Sequence, residues 1–159
     1  MIFPRLRRGE GEGEVWSSER LKRNLTEIIM YLLINTSEKD EIDIALFDDK
    51  TIEHKFYSGR NRELLSCIQN VFKIKNSKLK IQNLSGIMVV VGAGSFTSTR
   101  VACVVANTFG YVLQIPLLAI SKEQAKDPQK LIAKLLKQPK GQYISATYSG
   151  EANVGKVGL

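Results

Sequence analysis

Apolar runs separated by short polar or glycine-rich punctuation divide the chain, and the period of each run predicts an element. Tyr31-Leu32-Leu33-Ile34 is continuously apolar and is bounded by Asn35-Thr36-Ser37, the pattern of a strand buried on both faces. Ile42 to Phe47 partly alternates, Asp48-Asp49-Lys50 has turn chemistry, and Thr51 to Phe56 forms another strand-like run. The pair reads as an antiparallel hairpin, so the sheet is mixed. Between Asn61 and Ile74, Leu64, Leu65, Ile68, Val71 and Phe72 recur at helical spacing, with Asn61 as the expected N-cap.

Farther along, the strand-like run Ile87 to Val91 leads into Gly92-Ala93-Gly94-Ser95-Phe96-Thr97 and then a helical pattern to Phe109, closed by Gly110. Pro116 to Ile120 is a further strand, which makes Ile87 to Ile120 a βαβ unit with an expected right-handed crossover. Ser121 and Gln124 have capping-box spacing at the start of a helix, which Asp127-Pro128 breaks to start another expected to reach Gln138. Tyr143 to Leu159 has glycines and no helical period, and reads as a strand or extended tail.

The first residues differ in kind. Met1 to about Ile29 holds an Arg-rich start and Gly9-Glu10-Gly11-Glu12-Gly13-Glu14, which offers too little apolar surface to offset its ordering entropy. It reads as a flexible or accessory extension, with Ser17 or Ser18 placed to cap a short helix over Glu19 to Leu25.

Composition narrows the classes. At 159 residues, 43% hydrophobic and 25% charged, the chain has room for one domain of about 100 to 150 residues with a modest core. Its apolar runs are far shorter than the ~20 residues of a membrane-spanning helix, and Cys67 and Cys103 sit in apolar runs without metal-type spacing. The expectation is a cytoplasmic protein with buried thiols and no membrane contact. The formal charge of +7 favours acidic partners such as RNA, though solubility alone would also account for a basic surface. Much of the excess is local, in Lys122, Lys126, Lys130, Lys134, Lys137 and Lys140, which as a helix stripe read most simply as a solvated face.

Two glycine-rich motifs invite a phosphate. Gly92 to Thr97 joins a strand to a helix N-terminus, where free N–H groups attract anions. Thr97 stands where the dinucleotide fingerprint needs its third glycine, so the turn chemistry favours a tight turn capped by Ser95 or Thr97. Gly150 to Lys156 nearly spells a Walker A loop, but Val157 replaces the Ser/Thr and only two residues follow, too few for the helix that aims the loop's amides. The single histidine, His54, excludes a His-His metal motif and reads as a surface or hairpin residue. Asp48-Asp49 reads as a turn, and no paired-acid site is evident. Val101, Ala102, Cys103, Val104, Val105 and Ala106 give the glycine-turn helix apolar residues around much of its circumference, suiting a sheet on one side and a partner on the other.

Several segments together resemble the TsaB (YeaZ) family of tRNA-modification proteins. Met30 to Ser37 resembles the family's opening strand. Gly92-Ala93-Gly94-Ser95-Phe96-Thr97-Ser98-Thr99-Arg100-Val101 resembles its Gly-Pro-Gly-Ser-Phe-Thr-Gly-Leu-Arg-Ile signature. Arg62-Glu63-Leu64-Leu65 and Ile115 to Ser121 also fit, so the match covers about Met30 to Ser121. Asn35, Ala93 and Ser98 depart from the family's Asp, Pro and Gly. Most of the second lobe is missing, and Ala146 to Glu151 resembles the family's closing Pro-x-Tyr segment.

The resemblance implies an α/β fold, a single actin-like, ribonuclease-H-like lobe with a mixed five-stranded sheet and flanking helices. Residues 30–141 would be the lobe, 1–29 the extension, and 142–159 a remnant of the second lobe. It implies a noncatalytic scaffold that pairs with the catalytic subunit TsaD and with the ATPase TsaE in making threonylcarbamoyladenosine in tRNA. It would be a homodimer when alone, reach tRNA through the complex, and have no cofactor of its own, with ATP or ADP at the complex interface. TsaD's His-x-Glu-Gly-His metal motif has no counterpart in this sequence.

Anion or nucleotide contact would fall to Asn35, Thr36, Ser37, Gly92, Gly94, Ser95 and Thr97. The pairing surface would fall to Leu64, Ile68, Phe72, Ala102, Val105, Ala106 and Phe109, positions that sequence alone leaves as interface or core. Two other readings stand beside this one. The first is a small phosphotransferase or nucleotide hydrolase using Gly92 to Thr97. The second is the protease activity attributed to some relatives, for which no nucleophile-base pair is visible.

Overall fold

The computed structural model describes residues 28–75 and 80–147, with the side chains of residues 74 and 75 excepted. The helix expected over Glu19 to Leu25, the near-Walker segment and the Pro-x-Tyr-like segment from Tyr148 onward lie outside the described residues. Five strands form one sheet: β1 (Met30–Asn35), β2 (Glu41–Phe47), β3 (Ile52–Ser58), β4 (Leu84–Val90) and β5 (Leu117–Ile120), in the order β3-β2-β1-β4-β5. β1 pairs antiparallel with β2 and parallel with β4, β2 pairs antiparallel with β3, and β4 pairs parallel with β5. The sheet is mixed, as the hairpin and the βαβ unit require.

Its two faces explain why the strands read as unbroken apolar runs. Alternate residues Leu32, Ile34, Ile42, Ile44, Leu46, Ile87 and Val89 pack under helices α1 (Leu64–Lys75) and α2 (Phe96–Leu113). The intervening Tyr31, Leu33, Ala45, Phe47, Met88 and Val90 pack under the segment 121–136, which includes the short helix α3 (Ile132–Leu136). With both sides covered, both sets are apolar, and the buried Asp43 of β2 is the exception. The hairpin turn is fixed by Asp48, whose Oδ1 accepts from the Lys50 N–H at 2.8 Å and the Thr51 N–H at 2.6 Å.

Element ends differ from the sequence reading in several places, and the helix expected after Ser121 is a single 3₁₀ turn, Gln124–Lys126. Asn61 is not a cap: it opens a single 3₁₀ turn, Asn61–Glu63, that Arg60 precedes without a side-chain hydrogen bond. Gly110 does not close α2, which continues to Leu113 and stops at Gln114, a left-handed residue at φ 53°. A Cβ on Gly110 would lie 2.8 to 2.9 Å from three side-chain atoms of Leu117, so this glycine serves close packing of helix on strand. β4 starts at Leu84, three residues before the apolar run. The helix expected from Pro128 to Gln138 is a 3₁₀ stretch, Pro128–Leu131, followed by the five residues of α3. Ser121 and Gln124 do form the reciprocal capping pair, at 2.9 and 3.2 Å.

Candidate functional site

The C-terminal end of β1 and the glycine turn after β4 meet at one edge of the lobe. Gly94 sits at φ 91°, and a Cβ there would lie 2.8 Å from the Thr36 carbonyl oxygen and 2.9 Å from Ser37 Cα. Only glycine allows both the backbone conformation and the contact. Asn35 Oδ1 accepts from the Ser37 N–H at 3.1 Å and from Ser37 Oγ at 2.7 Å, which folds the strand end back on itself. Thr36 is buried, and its hydroxyl donates to the Ser98 carbonyl at 3.4 Å. Asn35, Thr36, Ser37, Gly94 and Ser95 are thus brought together. Thr97 is exposed on the first turn of α2 and takes no part.

Beside this junction lies a cleft of about 540 Å³ lined by Ser37, Gly94, Ser95 and Ser98 together with Glu38, Lys39, Asp40, Gly59, Arg60 and Asn61. Its lining charge is mixed, with Glu38 and Asp40 beside Lys39 and Arg60, and Glu38 is also paired with Lys122. Sequence reasoning missed Lys39 and Arg60, because their approach depends on how the β1–β2 and β3–α1 turns lie together.

Part of the expected anion cradle is occupied by the chain itself. Ser95 caps α2, its Oγ accepting from the Ser98 N–H at 3.1 Å and lying 2.6 Å from Ser98 Oγ. The Gly92 N–H donates to the Thr147 carbonyl at 2.7 Å. Three residues upstream, Asn107 of α2 bonds both the N–H and the carbonyl of Ile144. The segment 142–147 therefore runs past α2 to the glycine turn without forming a strand. The Gly92 and Ser98 amides are accordingly satisfied before any ligand arrives.

The residues named for pairing divide between two environments. Leu64, Ile68, Phe72, Ala102 and Ala106 are buried in the core beneath the helices, whereas Val105 and Phe109 are half-buried at its margin. Five of the seven therefore face the sheet of their own chain, since small and branched residues are what close helix-on-sheet packing requires. The open apolar side of α2 is made by other residues: Val104 is 62% exposed, Tyr111 61% and Val112 68%. Near its start, Phe96, Thr97, Arg100, Val101, Val104 and Val105 line a groove of about 360 Å³, with the Arg100 guanidinium 5.3 Å from the centre of the Phe96 ring.

Other chemistry is sparse. His54 Nδ1 lies 2.9 Å from Asp43 Oδ1 and its ring stacks on Phe56. This pair was visible only as shared parity across the β2–β3 hairpin. It is separate from Ser95, whose hydroxyl is engaged by Ser98. Burial pushes the Cys67 and Cys103 thiols up, Cys67 further under the influence of Glu63, which opposes thiolate reactivity. Among the described residues, no cluster of three His, Cys, Asp or Glu could hold a metal, and no helix is long and apolar enough to cross a membrane.

Comparison with known proteins adds a framework. Residues 60–148 match the family described as TsaD, tRNA N6-adenosine threonylcarbamoyltransferase. The fold is similar to that of YeaZ from Pseudomonas aeruginosa, at 19% identity and a TM-score of 0.53, covering 64% of this chain and 50% of that one. It is equally similar to a crystal structure of an uncharacterized protein with similarity to peptidase YEAZ from Pseudomonas aeruginosa. There the identity is 19%, the TM-score 0.53, and the coverage 63% of this chain and 49% of that one. The chain spans about half the length of these structures. No curated protein matches the sequence.

Proposed function

Because the chain belongs to the family of TsaD, the tRNA N6-adenosine threonylcarbamoyltransferase, and has a YeaZ-like fold, we propose that it is a noncatalytic partner subunit in tRNA threonylcarbamoyladenosine synthesis. It pairs with TsaD, joins TsaE, and self-associates when TsaD is absent. The observation that carries this reading is the open apolar side of α2, where Val104, Tyr111 and Val112 stand clear of the chain's own core. Burying such a surface on a partner is favourable at about 25 cal/mol per Å² of apolar area, and a large exposed apolar patch is a common mark of an interaction site. Satisfaction of the Gly92 and Ser98 amides within the chain supports the noncatalytic part, because a phosphate would have to compete for them. ATP or ADP would then belong to the assembled complex, and the complex to the cytoplasm.

The test is co-purification with the TsaD of the same organism, comparing wild type with Val104→Arg. This residue is the right probe because Ala106 is fully buried, so a charge there would unfold the lobe. A folded Val104→Arg chain that no longer associates, beside a wild type that does, supports the reading. If wild type fails to associate with or without nucleotide, the partner role is wrong.

A second reading, a nucleotide phosphotransferase or hydrolase, draws on the cleft where Asn35 to Ser37 meet Gly94 and Ser95. A thermal shift with ATP by the isolated chain, lost in Gly94→Ala, would favour it instead.

A further inference from the structure

The segment 121–140 is a strap across the face of the sheet opposite α1 and α2. It is pinned by the buried Ala125, Pro128 and Leu135 and by the half-buried Leu131 and Ile132. Lys126, Lys130 and Lys134 lie between those anchors, Lys122 before them and Lys137 and Lys140 after them, and all six are exposed. The sequence pattern suggested a winding helical stripe; the segment instead folds largely as 3₁₀ turns, and all six lysines stay exposed. Six lysines against two carboxylates, Glu123 and Asp127, leave four of the chain's formal +7 charges on this short strap.

The local acids do little to cancel that field. Lys126 with Glu123 and Lys130 with Asp127 are i,i+3 pairs with mostly exposed side chains, and the Lys122–Glu38 pair is about half exposed. Such pairs contribute little and exchange readily with another anion. Among the described residues Lys134, Lys137 and Lys140 have no acidic partner within ion-pair distance.

From this arrangement we propose that the strap is a direct RNA-binding surface that neutralises backbone phosphates through these lysines. The occupant fits by charge complementarity. Lysine ammoniums act as point charges toward phosphates without reading bases, and six of them on one short anchored segment suit a polyanion. The choice of tRNA as the RNA rests on the proposed function; the strap's affinity for RNA does not.

The experiment is fluorescence anisotropy of a fluorescein-labelled tRNA transcript titrated with the full chain at several KCl concentrations. Wild type is compared with Lys130→Glu/Lys134→Glu/Lys137→Glu and with a control, Arg62→Glu/Lys73→Glu/Lys80→Glu, made at exposed positions outside the strap. Both triple variants fall from a formal charge of +7 to +1. The expected result is at least a tenfold loss for the strap variant near 100 mM salt, with the slope of log K against log salt reduced by about 2 to 3, while the control stays near wild type. Equal losses in both variants would overturn the proposal, since net charge alone would explain them. So would absence of wild-type binding, or tighter binding to phosphatidylglycerol vesicles than to the transcript. Co-purification with TsaD, run on the strap variant, separates the two ideas: retained pairing with lost RNA binding supports the strap and leaves the partner reading intact.

Discussion

Asn107 holds Ile144 through both ends of its amide, Nδ2 donating to the carbonyl at 3.0 Å and Oδ1 accepting from the N–H at 2.9 Å. A side chain thereby takes the place of a neighbouring strand for one residue of a segment that forms no strand. Asn107→Ala removes both bonds, and with each such bond contributing roughly 0.5 to 1.5 kcal/mol the expected loss of stability is about 1 to 3 kcal/mol. Hydrogen exchange should locate the loss, with the Ile144 and Gly92 amides exchanging faster and those of β1 unchanged. Unchanged protection at Gly92 would show that the Thr147 contact does not depend on the clamp.

The two glycines of the turn should respond unequally to alanine. At Gly94 both the φ of 91° and the approach of Thr36 and Ser37 oppose a Cβ, whereas at Gly92, at φ 77°, nothing lies within 4 Å of the added atom. Gly92→Ala should cost about 1 to 2 kcal/mol for the left-handed backbone alone, and Gly94→Ala at least about 2 kcal/mol. Urea unfolding of the two variants measures the difference, and equal costs would refute the packing argument.

Stability should fall in mild alkali. Burial raises the Cys67 and Cys103 thiols, and also the Tyr31 and Tyr57 hydroxyls. A group with a raised folded-state pKa holds its proton longer in the native state, so its contribution is full below the unfolded thiol pKa of about 8.5 and declines as pH rises above it. The urea midpoint should therefore drop between about pH 8.5 and 10. A Cys67→Ala/Cys103→Ala variant should show a shallower drop, and a parallel one would remove the thiols from the explanation.

Tyr57 offers a change in the opposite direction. Its hydroxyl is buried without a hydrogen-bond partner among the described residues, and an unsatisfied buried polar group costs about 1 to 3 kcal/mol. Tyr57→Phe keeps the ring against the α1 side of the core and should raise the thermal midpoint. A lower midpoint would mean that the hydroxyl has a partner in solution.

The strands were legible because a sheet covered on both faces writes itself as unbroken apolar runs: Tyr31 to Ile34 and Ile87 to Val90 needed no tertiary information. The glycine turn was legible for the same local reason, since strand, glycine and Ser95 cap follow one another in sequence. What a helix residue faces was not. Ala102, Val104 and Ala106 are similar in kind, yet only the position of the sheet makes Ala102 and Ala106 core and leaves Val104 outside. Gly110 resembled a stop signal because its true reason, the side chain of Leu117, lies beyond the end of the helix. The lysine segment kept helical spacing while folding mainly as 3₁₀ turns, because apolar anchors and the Asp127-Pro128 break govern its path more than lysine period does.

The central strand also imposes an order in time. β1 and β2 are close in sequence and can join as soon as Phe47 is made, but the other edge of β1 waits for Leu84 to Val89. During synthesis the central strand therefore has one edge without its partner while some forty further residues are added, a condition in which unpaired edges invite pairing with other chains. The lobe's greatest exposure to aggregation thus comes before β4 emerges, and a slow stretch of translation between β2 and β4 would prolong it.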